Sequence, residues 1–226
     1  MRTRRILTAI NWKYALGEIA LIFIGITLAL AASAWYEGRQ ERLDEILILE
    51  QFKKALEVDY ENLVRIHETY SWTEASASAL LDHLSGGEPY NEDVQEIVAA
   101  AAVFRTFEPN TAVYEALKSR GFDLISNEEL RYELINYYEL SVRKLTDSIS
   151  IDQDFVLRLF TPYRLENFRG FVPLDYERLR RDVHFENFVR LKSNRVSVFL
   201  LPQVELAIEK NEVLKELLDS QLPASD

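Results

Sequence analysis

The chain has 226 residues, 48% hydrophobic and 28% charged, a composition that builds a core and excludes wholesale disorder. It has no cysteine, which excludes a disulfide framework, a thiolate metal site and a thiol nucleophile. The net charge is -11 but is unevenly placed: residues 1–13 carry Arg2, Arg4, Arg5 and Lys13 and no acid, leaving 22 basic against 37 acidic residues, or -15, in the rest. Such an acidic body disfavours nucleic acid and anionic lipid as general partners.

The first element is the apolar run "GEIALIFIGITLALAASAWYEGR". From Ile19 to Tyr36 no residue is charged. Residues 14–36 as a helix span about 34 Å, enough for a bilayer core. Trp12 and Tyr14 mark one edge and Trp35 and Tyr36 the other, as in aromatic belts, and the basic tail directs the N-terminus to the cytoplasm. We therefore expect a cytoplasmic tail at 1–13, a transmembrane anchor at 14–36 and an extracytoplasmic helical domain at 37–226. Two alternatives stand beside this: a buried soluble helix, and a signal peptide cleaved after Ala34 at "ASA". Glu18 fits an edge carboxylate in the headgroup region. With Gly25, Ala29 and Ser33 at four-residue spacing, it is the candidate helix-contact set within the membrane.

Between Arg39 and Ser85 there is neither Gly nor Pro, and the apolar period is helical. A helix here, continuing directly from the anchor, runs about 69 Å over residues 39–84. Leu49, Leu56, Leu63 and Tyr70 lie seven apart, with Phe52 and Ile66 on the interleaved row. These six form a coiled-coil-like seam, the candidate interaction surface, interrupted by Asp59. "SGGEPYNED" is a turn, with Asn91 or Glu92 opening a short helix. Asn110 or Thr111 caps another short helix, which Gly121 ends in a left-handed cap. Ser126 and Glu129 form a capping box for a second long helix running toward Pro162. After a Pro/Gly corner, a third covers about 175–221, with Pro202 as its kink or break. "RVSVFLLP" has strand-like content but reads as helix. No repeat of 20–50 residues stands out. The expected fold is all-α: the anchor helix continuing into an antiparallel bundle of three long helices plus a short pair at 92–120.

Chemistry is sought in vain. His67, His83 and His184 are preceded three residues earlier by Val64, Leu80 and Arg181, so the Glu-x-x-His of di-iron bundles is absent. There is no H-E-x-x-H, G-x-S-x-G, P-loop or G-x-G-x-x-G, and no catalytic, metal or cofactor-binding residue is assigned. The cluster Arg178, Arg180, Arg181, Arg190 and Arg195 is expected to neutralise Glu177, Asp182 and Glu186.

"YALGEIALIFIGITLALAASAWYEGR" resembles the N-terminal anchor of an uncharacterised family of single-pass bacterial membrane proteins, with Gly-Glu, Ile-Gly-Ile and a Trp after the span. "AVYEALKSRGFDLISNEELRYELINYYE" at 112–139 is similar to that family's central block, where a short helix ends at Gly and a capped helix begins Asn-x-x-Leu-Arg. "AASAW" departs from the polar residues the family more often carries there. The resemblance implies a domain of unknown function without assigned catalytic residues, placed in the bacterial inner membrane with a periplasmic domain. The functional expectation is a non-enzymatic membrane-anchored scaffold or interaction module. Its partners are the lipid bilayer and a protein or a second copy, not nucleic acid, and it needs no cofactor. The alternative is a periplasmic ligand-sensing helical module working with a separate membrane partner.

Overall fold

The computed structural model describes residues 12–223; Arg2, Arg4 and Arg5 of the basic tail lie outside the described residues. The fold is all-α. Among the described residues six helices follow in chain order: α1 (Trp12–Gly86), α2 (Glu92–Ala101), α3 (Ala112–Arg120), α4 (128–167), α5 (Tyr176–Leu179) and α6 (183–221). A two-residue hairpin, β1 (Phe168–Arg169) with β2 (Val172–Pro173), turns the chain after α4.

The chain divides into two compact units, Met1–Leu47 and Ile48–Asp226. That division falls later than the boundary expected at Tyr36, because residues 37–43 of α1 are exposed and burial begins at Glu45 and Ile48. In the first unit α1 carries an apolar stretch whose best 18 residues have a mean hydropathy of 2.1 with none of it buried, long and apolar enough to cross a membrane.

In the second unit α1, α4 and α6 are the long helices. Glu133 meets Lys210, Asp152 meets Lys192 and Tyr163 meets Phe185, so α4 and α6 are antiparallel. Tyr60 meets Glu212 and His67 meets Glu205, so α1 and α6 are antiparallel too. Hence α1 and α4 run parallel, as the contacts Phe52–Tyr138 and Tyr70–Asp152 require. A parallel pair needs a return path, which α2, the extended segment 103–111 and α3 supply.

Local signals set most boundaries. Asn91 caps α2 by accepting from the Val94 N–H, leaving Glu92 and Asp93 in the first turn where the helix dipole favours acids. The expected Ser126 box is displaced by one residue: Asn127 is the cap of α4, accepting from the Leu130 N–H at 2.9 Å. Thr111, not Asn110, precedes α3 and makes no side-chain cap bond. Gly121 does end α3, but at φ 107 and ψ 136, which is not the left-handed helical cap expected. That region is essentially restricted to glycine. Because a Cβ there would meet nothing within 4 Å, the cost of Gly121→Ala is conformational alone. Denaturant unfolding is expected to show a loss of about 1–3 kcal/mol; an unchanged midpoint would contradict it.

Neither proline ends its helix. α4 continues past Pro162 to Asn167, and α6 continues past Pro202 to Gln221. In each, a π-helical turn precedes the proline, Val156–Phe160 and Val196–Leu200, with Thr161 N–H donating to Val156 O and Leu201 N–H to Val196 O. Proline lacks an N–H and its ring crowds the carbonyl four residues back, and a locally wider turn absorbs both. "RVSVFLLP" accordingly lies in helix. A third π turn, Asn136–Val142, contains the consecutive Tyr137 and Tyr138, both buried.

Candidate functional site: two buried polar layers

The segment 103–111 crosses the bundle without a helical or strand partner, so its inward backbone groups must be satisfied otherwise. Three side chains do this. Lys192 Nζ donates to Val103 O at 2.9 Å, Tyr70 Oη accepts from Arg105 N–H at 3.4 Å, and Asp59 Oδ1 accepts from Asn110 N–H at 2.9 Å. Arg105 Nε adds a bond to Thr69 Oγ1 at 3.2 Å. The segment is thereby held along α1 from the Tyr70 turn to the Asp59 turn.

The upper layer holds Asp152 of α4 and Lys192 of α6, paired at 2.6 Å and both side chains fully buried. Tyr70 Oη of α1 donates to Asp152 Oδ2 at 3.5 Å, and Thr73, three residues on, is buried with its hydroxyl donating to Thr69 O at 2.9 Å. Lys192 also lies 5.7 Å from the Tyr70 ring centroid. Desolvation pulls the Lys192 ammonium below its ordinary value, and the Asp152 charge pulls it back up. Asp152 Oδ1 has no hydrogen bond; Arg195 Nε stands 3.9 Å from it. This layer divides the core. Ile149 and Val196 belong to one apolar cluster with Leu49 and Leu56, while Val156 and Val189 belong to another with Ala77, Leu80 and Phe185.

The lower layer lies inside the first cluster. Asn211 Nδ2 donates to Leu56 O at 3.0 Å and to Tyr137 Oη at 3.1 Å. Burial pushes the Asp59 carboxyl up to about 6, against the pull of the Asn110 N–H. It also raises the Tyr137 and Tyr138 phenols, which the nearby Asp59 charge raises further, so both stay protonated. Asp59 Oδ2, Tyr138 Oη and Asn211 Oδ1 are buried without hydrogen-bond partners. The interruption of the seam at Asp59 is thus the anchor point of the return segment.

The six seam residues Leu49, Phe52, Leu56, Leu63, Ile66 and Tyr70 are only 0–4% exposed. They join Leu134 and Leu145 of α4 and Val204 and Leu214 of α6 in one cluster, so the seam meets the chain's own helices and offers no surface to a partner. This corrects its assignment as an interaction surface: heptad spacing is the same whether the matching helix lies in the same chain or another. Glu18, Gly25, Ala29 and Ser33 are all exposed, and an added Cβ at Gly25 would meet nothing within 4 Å. Of the arginine cluster, Arg180 and Arg181 meet Glu177 and Arg190 meets Glu186, as charge spacing required. Arg195 turns to Asp152 instead, and Asp182 caps α6 while accepting from the Tyr163 hydroxyl at 2.7 Å.

Sequence reasoning missed Asp152, Lys192 and Asn211. A signal existed: Val156 to Pro162 and Val196 to Pro202 share the pattern Val, two residues, two large apolar residues, one residue, Pro, forty apart. Asp152 and Lys192 occupy the same place ahead of each. Their burial follows the same order position by position from 151 to 160 and from 191 to 200.

Among the described residues no group of three His, Asp or Glu side chains is placed to hold a metal ion. A groove of about 440 Å³ beside the return segment is lined by Asn62, Arg65, Ile66, Arg105 and Phe107. The polar layers make backbone and ion-pair contacts within the bundle, which is chemistry that fixes a fold. The class so defined is an all-α helical bundle with one long apolar N-terminal helix. Comparison with family models, with curated proteins and with solved structures gave no match.

Proposed function

We propose that the chain is a membrane-anchored, non-enzymatic protein-interaction module of the bacterial inner membrane. Its N-terminus is cytoplasmic and its helical bundle periplasmic, as the resemblance to single-pass bacterial membrane proteins implies. One observation carries this. Ile19, Leu21, Ile22, Phe23, Ile24, Ile26, Leu28 and Leu30 are 53–72% exposed on a helix that nothing else in the described chain covers. Burying such side chains is worth about 1.5–3 kcal/mol each. Leaving all of them in water would cost as much as a typical domain's entire stability, about 5–15 kcal/mol. A bilayer removes that cost, and Trp12 and Trp35 bracket the stretch at interfacial depth.

Helix continues unbroken through Ser33, Ala34 and Trp35, which favours retention of the anchor over cleavage at "ASA". Lys192 and one oxygen each of Asp59 and Asp152 are bound within the bundle, which favours interaction over catalysis. An acidic body supports a protein partner in preference to nucleic acid.

The test is a C-terminal reporter that is active only outside the cytosol, with N-terminal sequencing of the mature chain and affinity isolation of the intact membrane-extracted protein. We expect reporter activity, an N-terminus upstream of Glu18 and co-isolation of a protein in fixed ratio. A cytosolic reporter, or a mature chain beginning at Trp35, would overturn the anchored topology. Isolation of a strictly solitary chain would overturn the interaction role.

A further inference from the structure

The return segment is fastened unequally along its length. Its upper part has two clamps, Lys192 Nζ on Val103 O at 2.9 Å and Tyr70 Oη on the Arg105 N–H at 3.4 Å, both set in the layer of the Asp152–Lys192 pair. Its lower part, residues 108–111, has a single tether. Pro109 has no N–H to give, the Thr111 N–H turns back onto Pro109 O at 2.9 Å, and the Asn110 N–H reaches Asp59 Oδ1 at 2.9 Å. Among the described residues this last is the one hydrogen bond that joins 108–111 to α1, α4 or α6. Glu108, Asn110 and Thr111 are exposed and Pro109 is half-buried, whereas Phe107 on one side and Tyr114 on the other are 5% and 2% exposed. The stretch is a short flap between two buried aromatic pins.

Beneath the flap lies a carboxyl cut off from water. Asp59 is fully buried, its Oδ2 has no partner, and Tyr138 Oη of α4 and Asn211 Oδ1 of α6 are buried without one as well. The titratable groups that face it are Tyr137 and Tyr138 of α4, whose phenols its charge pushes up. α6 presents the neutral Asn211, which donates to Tyr137 Oη at 3.1 Å, and the return segment presents only the Asn110 N–H. Among the described residues no Lys, Arg or His charge offsets the burial of this carboxyl.

We propose that residues 108–111 are a proton-gated lid: it is closed over a dry layer while Asp59 is protonated, and it lifts between Phe107 and Tyr114 to admit water when Asp59 ionises. The inference concerns the bundle alone and holds for whatever partner the module meets.

Two opposing effects act on the tether when Asp59 loses its proton. The bond from the Asn110 N–H becomes charge-assisted and stronger, which favours the closed lid. Burial of the new charge favours opening, because a carboxylate has about four lone-pair sites and the closed layer gives it one donor. Burial is the larger effect: the carboxyl is raised to about 6 in spite of the Asn110 bond. Water supplies the missing donors, and the exposed flap is what stands between water and the Asp59–Asn110 bond.

Opening is also cheap for the rest of the molecule. Phe107 and Tyr114 stay in the core, no helix or sheet ladder is broken, and the one bond given up is replaced on both sides by water. Such local openings lie at the low end of the range between fraying and global unfolding. Glu108 also walls the groove of about 440 Å³ that Asn62, three residues on from Asp59, helps to line, so a lifted lid extends that groove toward the buried layer.

Hydrogen exchange of the detergent-extracted full chain, read at single amides and corrected for the intrinsic effect of pH, tests the lid. With the carboxyl at its ordinary 3.8 when open and about 6 when closed, protection of the Asn110 amide is expected to fall about fiftyfold between pH 4 and pH 8. The Arg105 amide, held by the neutral Tyr70 hydroxyl in the other layer, should keep its protection over the same range. Asp59→Asn should leave the Asn110 amide near its pH 4 protection throughout. Three results would each overturn the lid: equal protection of Asn110 at both pH values, an equal loss at Arg105 and at Leu63 in the α1 core, or a pH dependence that survives Asp59→Asn. If the asparagine variant fails to fold, the contrast between the Asn110 and Arg105 amides of the unaltered chain decides.

Discussion

Replacing Asp152 by alanine is expected to lower the unfolding free energy of the intact protein by about 3–5 kcal/mol, the usual cost of stranding one member of a buried ion pair. Lys192 would be left fully buried with Val103 O as its one short hydrogen bond, and nothing to offset the desolvation that already depresses its proton affinity. Lys192→Met should cost a similar amount for a different reason: it strands the carboxylate and orphans the Val103 carbonyl. The double variant Asp152→Val with Lys192→Met should be less damaging than either single change. Both charges then vanish together, leaving the Val103 carbonyl without its donor, at about 1–3 kcal/mol, and the Tyr70 hydroxyl without its long 3.5 Å contact to Asp152. Thermal or denaturant unfolding of the detergent-extracted full chain measures all three. A cost below about 1 kcal/mol for Asp152→Ala, against the several expected for breaking a buried pair, would mean that the pair is not buried as described.

Asp59→Asn should act in the opposite direction, and only above mild acidity. Its carboxyl is raised from 3.8 to about 6 in the fold, so between those values the folded chain holds a proton that the unfolded chain has released. The stabilisation by the protonated form is complete below 3.8 and is lost as pH rises through 6, leaving a buried charge above it. Asparagine can still accept from the Asn110 N–H but carries no charge. Removing a shift of that size is worth roughly 2–3 kcal/mol at pH 8, falling toward zero near pH 4. Unfolding curves at several pH values test this. Equal destabilisation by Asp59→Asn at every pH would show that desolvation of the carboxylate is not the governing cost.

The short-range features were legible because their causes are short-range. An uncharged run from Ile19 to Tyr36, heptad spacing from Leu49 to Tyr70, the cap at Asn91 and the glycine at 121 each act within a few residues of themselves. They suffice for three long helices, a short pair and an apolar N-terminal helix. The capping box missed by one residue because Ser126 and Asn127 are both competent caps, and backbone geometry chose between them.

What only the tertiary structure decided is which molecule, and which residue, each surface meets. The seam's spacing specified an apolar partner helix and could not say that α4 and α6 of the same chain provide it. Asp152 and Lys192 looked like ordinary helix charges and Asp59 like a break in the seam, since the groups that satisfy Asp59, Asp152 and Lys192 stand 51, 40 and 89 residues away. Their burial follows from the parallel course of α1 and α4, which forces an extended return strand of backbone through the bundle, and buried N–H and C=O groups must find partners. The same packing leaves Ile151, Leu159, Leu191 and Phe199 outside. Helical periodicity fixes the side of a helix on which a residue lies, but only the arrangement of three helices determines which side remains uncovered.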